Sequence, residues 1–408
     1  MADSSTAASD ERLRLFVACA PGLEELLAEE LRELGVHEVA LTAGGVGCFG
    51  DRETVYRVNL GCGLGLRVLV RVAEFFVRDF AKLERVSATL PWERWLCLGP
   101  DRSLAVRVRG HAKRSRLYHT KGIAERVERG MAKRLGARVE LRADEAKGPG
   151  GGELGEGRAE PTLVQVRIIR DRCTISVDTT GTMLHKRGWR QQTGKAPLRE
   201  DIARALLRVS GWSPGMALFD PTCGSGTTVI EAATIAAGMP PGAARSFGFM
   251  RQPGFDSAAY ERLRSSMARE PARAASLIGG DRDAGVVVAA GANAGRAEVA
   301  AAVRFIERSV GSSELPELER GEGQGGVALL ANLPWGQRTG DPRRLRNLYA
   351  SFGKLARRLP RPTHVGLVTN DAALAGATKL GLSRALSTEQ GGVKIGLYTG
   401  VLGEGQTH

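Results

Sequence analysis

The chain of 408 residues is long enough for two or three compact domains, and none of its apolar runs reaches the ~18 residues that a membrane-spanning helix needs. Six scattered cysteines without a C-x-x-C pair disfavour disulfides and metal sites, and they favour a cytoplasmic protein. The net charge of +13 is concentrated in residues 101–200, where 23 Lys and Arg stand against 12 Asp and Glu.

The first predicted unit follows a segment rich in Ala, Ser, Thr and Asp over residues 1–11, which we expect to be disordered. Strand-like and amphipathic helical patterns then alternate in the order β-α-β-β-α-β. The expected strands cover residues 13–18, 38–41, 45–49 and 67–76, and the expected helices cover residues 23–34 and 53–59. This order predicts a small ferredoxin-like unit over residues 12–80.

A second small α/β unit is predicted over residues 81–180, followed by a basic linker over residues 181–196. Its expected helices cover residues 82–90 and 122–135, its strands cover residues 104–109, 139–142, 163–170 and 172–178, and a flexible loop covers residues 147–158. The concentrated charge is typical of a phosphate-binding surface, although a solvated basic face would show the same excess. Candidate phosphate contacts are Arg114, Arg187 and Arg190, each of which could equally be an ordinary surface arginine.

Regular alternation of strands and helices begins at residue 197 and continues to the end of the chain. The expected strands cover residues 217–219, 276–279, 302–307, 327–331, 363–369 and 394–402, and the expected helices cover residues 198–210, 227–237, 260–269, 284–293 and 343–358. This alternation predicts a mostly parallel sheet with helices on both faces over residues 197–408. Folds of this class bind ligands at the carboxyl ends of their strands.

A glycine turn between the first strand and the next helix of this region is the strongest local motif. Its glycines allow the backbone to approach a ligand closely, and the following helix presents free N–H groups there. The turn lacks the Lys of a P-loop and the spacing of G-x-G-x-x-G, which disfavours nucleoside triphosphates and NAD. An acidic residue before the turn can accept from the ammonium of an amino-acid moiety. The candidate residues are Asp220, Pro221, Thr222, Cys223, Gly224, Ser225, Gly226 and Thr227.

Two further motifs end later strands of the same predicted sheet. Asp281, in the run Asp281-Arg282-Asp283, can hold two ribose hydroxyls, whereas Asp283 could equally cap the next helix. The other motif is Asn332-Leu333-Pro334-Trp335, whose Asn side chain and a backbone carbonyl can accept the two hydrogens of an exocyclic amine. Trp335 offers a flat surface for a flipped base, or it is simply a buried indole.

These motifs, in this order, resemble the THUMP-domain family of bacterial guanine-N2 RNA methyltransferases. The members that make N2-methylguanosine in large-subunit rRNA are the most similar, and the tRNA guanine-N2 enzymes come close behind. The resemblance rests on residues 20–27, 184–190, 196–200, 220–227 and 230–233. It implies a Rossmann-like class I methyltransferase domain at residues 197–408 and a THUMP domain at residues 81–180 that grips RNA.

The resemblance also implies roles for single residues. The glycine turn would bind the methionine part of S-adenosyl-L-methionine (SAM), Asp281 its ribose, and residues 332–335 the target amine. Leu333 replaces the usual Pro of the family, and its carbonyl remains available. Ser309 replaces an Asp that reads the adenine amino group, and a hydroxyl accepts that hydrogen bond without charge assistance, at a cost of about 1 kcal/mol.

The expected function is therefore SAM-dependent transfer of a methyl group to the N2 atom of a guanosine in structured RNA, without a metal or a membrane. Three alternatives stay open: a tRNA guanine-N2 enzyme, a DNA amino-methyltransferase that uses the same amine-holding motif, and a non-catalytic RNA-binding or assembly factor. All catalytic interpretations require that the glycine turn and the loop at residues 332–335 lie side by side.

Overall fold

A computed structural model describes residues 12–99, 102–139, 161–191, 197–272, 275–319, 326–336 and 341–403. The N-terminal half contains nine strands and four α-helices within these ranges. They are β1 Leu13–Cys19, α1 Glu24–Glu33, β2 Ala40–Thr42, β3 Gly45–Gly50, α2 Arg52–Gly61, β4 Gly65–Phe76, α3 Phe80–Ser87, β5 Ser103–Leu104, β6 Val106–Lys113, α4 Thr120–Leu135, β7 Arg138–Val139, β8 Thr162–Ile169 and β9 Arg172–Asp178.

Seven of these strands form one sheet in the order β2-β3-β1-β4-β9-β8-β6, while β5 and β7 form a separate parallel pair. The arrangement of β1 between β3 and β4, with antiparallel pairing on both sides, confirms the predicted ferredoxin-like order. Antiparallel pairing of β4 with β9 joins the second predicted unit to the same sheet. The THUMP assignment stays a prediction, and the expected tail and the loop at residues 147–158 lie outside the described residues.

The C-terminal half contains seven strands and six α-helices in the described ranges. They are α5 Glu200–Val209, β10 Ala217–Asp220, α6 Thr227–Ala236, α7 Ser257–Met267, β11 Leu277–Asp281, α8 Ala284–Arg296, β12 Arg304–Glu307, β13 Val327–Asn332, α9 Pro342–Arg358, β14 Thr363–Thr369, α10 Ala372–Ala377, β15 Ser383–Gln390 and β16 Val393–Leu402. None of the helices in the described part of the chain combines the length and the apolar character needed to cross a bilayer.

These strands form a second sheet in the order β12-β11-β10-β13-β14-β16-β15. Strands β10 to β14 run parallel, and β16 is antiparallel to both of its neighbours. The predicted, mostly parallel sheet is therefore confirmed, although β15 and α10 were not expected.

The strand order reverses between β10 and β13, which are hydrogen-bonded neighbours. Phe219 pairs with Leu329, so the parallel strands end at the same edge with Asp220 and Asn332 close by. Reversal points of this kind leave a crevice at the carboxyl edge of a sheet. The required proximity of the glycine turn and the Asn332 loop is confirmed.

The described part of the predicted basic linker and the segment that follows α6 pack against both halves of the molecule. Leu184 and Trp189, in the predicted basic linker, are buried. Beyond α6, the ring of Phe249 stacks on that of Tyr56 from α2, with 4.7 Å between centroids. The backbone N–H of Gly242 donates to the carbonyl of Leu60 at 2.9 Å. Hydrogen bonds and aromatic packing thus fix the two halves to each other.

Candidate active site

The glycine turn leaves the sheet at Asp220 and ends where α6 begins. Gly224 and Gly226 have φ angles of 54° and 86°, in the left-handed region that favours glycine. A Cβ atom at Gly226 would lie 3.0 Å from the ring of Phe305, whereas a Cβ atom at Gly224 would meet open space. The turn is therefore tightly packed at its second glycine and open at its first.

Asp220 is a buried carboxyl group, only 2% exposed, at the base of this turn. Its Oδ1 accepts a hydrogen bond from the backbone N–H of Thr222 at 3.0 Å. Burial raises the pKa of Asp220 to about 7, and the neighbouring carboxylate of Asp281 pushes it in the same direction. The Asp220 carboxyl is therefore only partly ionised near neutral pH. Its ionised form would attract a cation placed at this position.

Asp281, the last residue of β11, is hydrogen-bonded to the glycine turn that follows β10. Its Oδ2 accepts from the N–H of Gly224 at 3.2 Å, and its Oδ1 accepts from the N–H of Asp283 at 3.1 Å. Asp283 caps α8, because its Oδ1 accepts from the N–H groups of Gly285 and Val286. The structure thus selects helix capping, one of the two interpretations of Asp283, and its side chain is engaged there. Arg282 is exposed.

Ser309 lies two residues beyond β12, at the same edge of the sheet, and is exposed. The N–H of Arg308 beside it donates to the carbonyl of Asp281 at 2.6 Å. Ser309 is therefore close in the fold to Asp281, the residue expected to bind the ribose. Its expected contact with adenine stays a prediction.

The Asn332 loop follows β13 and is held from two sides. The carbonyl of Pro334 accepts from the hydroxyl of Tyr349 on α9 at 3.3 Å, and Trp335 Nε1 donates to the carbonyl of Val368 on β14 at 3.1 Å. Leu333 is buried, whereas Asn332 is half-buried. These contacts fix the loop before any substrate arrives. Trp335 is half-buried and packs partly against the core, so its stacking on a base stays a prediction.

The chemistry of these loops fits SAM. The hydroxyl of Ser225 is buried in the turn and has no hydrogen-bond partner among the residues described, so a bound polar group could pair with it. No side chain caps the N-terminus of α6, which leaves its N–H groups for a carboxylate. Asp220 supplies an acceptor for an ammonium group, and Asp281 supplies acceptors for hydroxyls. The described ranges contain no cluster of three or more metal-binding side chains.

The expected phosphate contact of Arg187 is wrong. Its side chain is 3% exposed, and its Nε donates to Glu231 at 3.1 Å. Its other nitrogens donate to the carbonyls of Leu184 at 2.8 Å and Gly63 at 2.7 Å. A guanidinium that is buried and engaged on every side cannot reach a phosphate in solvent.

The expected phosphate contact of Arg190 is also wrong, because its side chain is only 11% exposed. It pairs with Glu200 at 3.3 Å and donates to Thr227 Oγ1 at 2.7 Å and to the carbonyl of Leu198 at 2.8 Å. Arg190 therefore ties the connector to the start of α6, directly after the glycine turn. Arg114 is exposed in the loop after β6, so its contact with phosphate stays a prediction.

A buried network of charges, which the sequence analysis missed, surrounds Arg187. Glu231 accepts from both Arg187 and Arg204 at 3.1 Å, and Arg204 approaches Glu30 of α1 at 3.7 Å. Glu30 in turn accepts from the backbone N–H groups that precede β4. The sequence contains one indication of this network, because Glu231 is the single charged residue of the otherwise uncharged α6.

Comparisons with known proteins agree with this architecture. Residues 187–397, about half of the chain, match the family described as "RMKL-like, methyltransferase domain". Residues 14–69 match the family described as "RlmL ferredoxin-like domain". The solved structure titled "Crystal structure of SMU.472, a putative methyltransferase complexed with SAH" is 26% identical, with a TM-score of 0.80 over 96% of this chain and 98% of that chain.

Two curated relatives are similar to this chain over most of its length. The "Ribosomal RNA large subunit methyltransferase K/L" of Syntrophotalea carbinolica is 35% identical over 85% of this chain and 48% of its own, so this chain spans about half of that relative. The "Putative RNA methyltransferase slr0064" of Synechocystis is 30% identical over 93% of this chain and 94% of its own. The glycine turn and the Asn332 loop lie within the matched residues 187–397, and the chain belongs to the RMKL-like methyltransferase-domain family.

Proposed function

We propose that this protein is a SAM-dependent RNA methyltransferase that methylates the exocyclic N2 atom of a guanosine, with large-subunit rRNA as the favoured substrate. The observation that carries the proposal is the adjacency of β10 and β13, which brings the glycine turn beside the Asn332 loop. The names of the relatives support rRNA, although they describe those proteins. With rRNA as its substrate, the enzyme would act in the cytoplasm.

SAM, when bound, supplies a methyl group on a positively charged sulfur. The side chain of Asp220 would accept from its ammonium group, and the free N–H groups at the start of α6 with Ser225 would hold its carboxylate. Asp281 would exchange its present bond to Gly224 N–H for bonds to ribose hydroxyls. These assignments use only groups that lie at one edge of the sheet.

At the neighbouring strand end, the side-chain oxygen of Asn332 and the carbonyl of Leu333 would accept the two hydrogens of the guanine amine. That pairing turns the nitrogen lone pair toward the glycine turn. Most of the rate enhancement would then come from placement, since no covalent intermediate with the protein is needed. A purine reaches such a loop only when it is flipped out of its stack.

The test is transfer of labelled methyl groups to rRNA, tRNA and DNA side by side, followed by nucleoside analysis by mass spectrometry. We expect N2-methylguanosine in rRNA from the wild type and from Asn347→Ala, an exposed position on α9. Asn332→Ala should lose at least tenfold in kcat while it keeps its affinity for SAM. Label in tRNA or in DNA would support one of the alternative substrates and overturn the rRNA assignment. A protein that binds no SAM at millimolar concentration would overturn the enzyme assignment altogether.

A further inference from the structure

One face of the N-terminal sheet is not covered by any helix in the described part of the chain, and we call it the open face. On β6, a Cβ atom at Gly110 would lie 2.4 Å from the carbonyl of Thr120, so Gly110 points toward α4. The alternate residues of the strand point away from α4, and all four are exposed. They are Arg107, Arg109, His111 and Lys113. Side chains on a strand alternate between the two faces, so these four belong to the open face.

Strand pairing extends this basic row across the sheet. His111 pairs with Arg167 of β8, while Arg109 is connected through Gln165 and Ser176 to Arg71 of β4. Burial lowers the pKa of the Arg71 guanidinium, and repulsion by Arg14 and Arg167 lowers it further. That mutual repulsion indicates a real concentration of like charge on the open face.

Among the residues described on β4, β6, β8 and β9, the half-buried carboxylate of Glu74 lies beside these cations. It accepts from Arg14 at 2.9 Å and from Arg172 at 2.7 Å, and both arginines lower its pKa. The structure records no carboxylate partner for Arg109 or Arg167 among the residues that it describes. The open face therefore keeps a large excess of positive charge after its internal pairing is counted.

Exposed aromatic rings lie among the arginines. Phe76 at the end of β4 is 52% exposed, and the guanidinium of Arg172 lies 5.3 Å from its ring centroid. Arg12, the residue before β1, has its guanidinium 4.3 Å from the ring centroid of Phe49 on β3. Exposed rings beside cations are the groups on which proteins stack unpaired bases while they neutralise phosphates.

We propose that the open face is an RNA-binding surface, on which arginines of β6, β8 and β4 neutralise phosphates and Phe76 stacks on an unpaired base. The inference rests on the proposed function in that it takes RNA to be the substrate. It goes further, because it assigns RNA binding to a surface shared by both N-terminal units. Arg187 and Arg190, which are buried, have no part in it.

The test uses the full chain and a large-subunit rRNA transcript prepared in vitro. Arg109→Glu combined with Arg167→Glu changes two cations that hold no internal partner among the described residues, so the fold should be retained. The association constant K for RNA falls as the salt concentration rises. Each lost phosphate contact reduces the steepness of log K against log salt by about 0.7 to 0.9. We expect the affinity of the double variant for the transcript to fall at least tenfold and the steepness of its salt dependence to decrease by about 1.5, with unchanged affinity for SAM. Arg262→Glu on α7, an exposed arginine away from the open face, is the control with the same type of charge change.

Phe76 provides an independent measurement. Phe76→Leu keeps an apolar side chain but cannot stack, so RNA affinity should fall about fivefold or more, and Phe76→Tyr should restore it. If the wild type binds and methylates the transcript while the arginine variant keeps its affinity and salt slope, the surface assignment is wrong and the proposed function stands. If the wild type neither binds nor methylates it, both fail. Normal binding of the transcript with lost methylation of assembled particles would indicate that the face binds an acidic protein, and would overturn the proposal.

Discussion

The ionisation of Asp220 should control how tightly the glycine turn holds an amino-acid ammonium group. In the absence of ligand, burial raises the pKa of this carboxyl to about 7. An ammonium group binds the ionised carboxylate and not the neutral acid, so affinity should increase as the pH rises through this value. S-adenosylhomocysteine is a suitable probe because it carries the same amino-acid moiety without reacting.

The size of the effect follows from the pKa. With a pKa of about 7, about one tenth of the Asp220 carboxyls are ionised at pH 6 and about nine tenths at pH 8. Affinity for S-adenosylhomocysteine should therefore rise about tenfold between these values. The stability of the free protein should change in the opposite sense. This pKa lies above its ordinary value of 3.8, so the contribution of Asp220 to stability is present below about pH 4 and is lost as the pH rises through about 7.

Isothermal titration calorimetry at pH 6, 7 and 8, in buffers of different ionisation enthalpy, measures both the affinity and the proton released on binding. Asp220→Asn preserves the size of the side chain and should bind weakly with no dependence on this ionisation. Any titration of the ligand itself appears equally in both proteins. Parallel pH profiles for wild type and variant, or equal affinities, would show that Asp220 does not hold the ammonium group.

Three more predictions follow from contacts around the site. Arg187→Ala leaves Glu231 buried with half of its positive partners, so the free energy of unfolding in urea should fall by about 3 to 5 kcal/mol; a loss below about 1 kcal/mol would contradict the buried network. Gly226→Ala places a Cβ at a φ of 86° and should weaken SAM binding about fivefold or more by calorimetry, whereas Gly291→Ala, which meets no atom within 4 Å, should not. Tyr349→Phe releases the carbonyl that its hydroxyl holds, so kcat should fall severalfold with unchanged SAM affinity, and a change in affinity alone would refute the positioning role.

Much of the fold could be predicted because local patterns decide it. The period-2 and period-3.6 patterns, with glycines at helix ends, are read directly from the sequence. The strand at residues 383–390 was not predicted because its sequence shows no regular alternation of apolar and polar residues, and pairing with β16 stabilises it. The glycine turn and the Asn332 loop could be placed at strand ends, since each motif follows an apolar run.

Burial of charged groups could not be predicted in the same way. Arg187 and Arg190 lie in a polar stretch that indicates surface, and only the tertiary structure shows that Glu231 and Glu200 are their partners. Conversely, the alternating cations of β6 were visible as charge but not as one face of a sheet, because their neighbours on β4 and β8 are distant in sequence. Pairing across long sequence separations is what local patterns leave out.

The pairing of β4 with β9 determines where the front half can be cut. The match to the ferredoxin-like family ends at residue 69, in the middle of β4, and a fragment ending there would be left with half a strand. A fragment ending at residue 80 would keep β4 but expose its long edge, with the N–H and C=O groups that now bond to β9 left open to other chains. Such fragments would self-associate. The smallest N-terminal piece that contains all seven strands of this sheet runs through Asp178, so one continuous set of strand pairs holds the two units together.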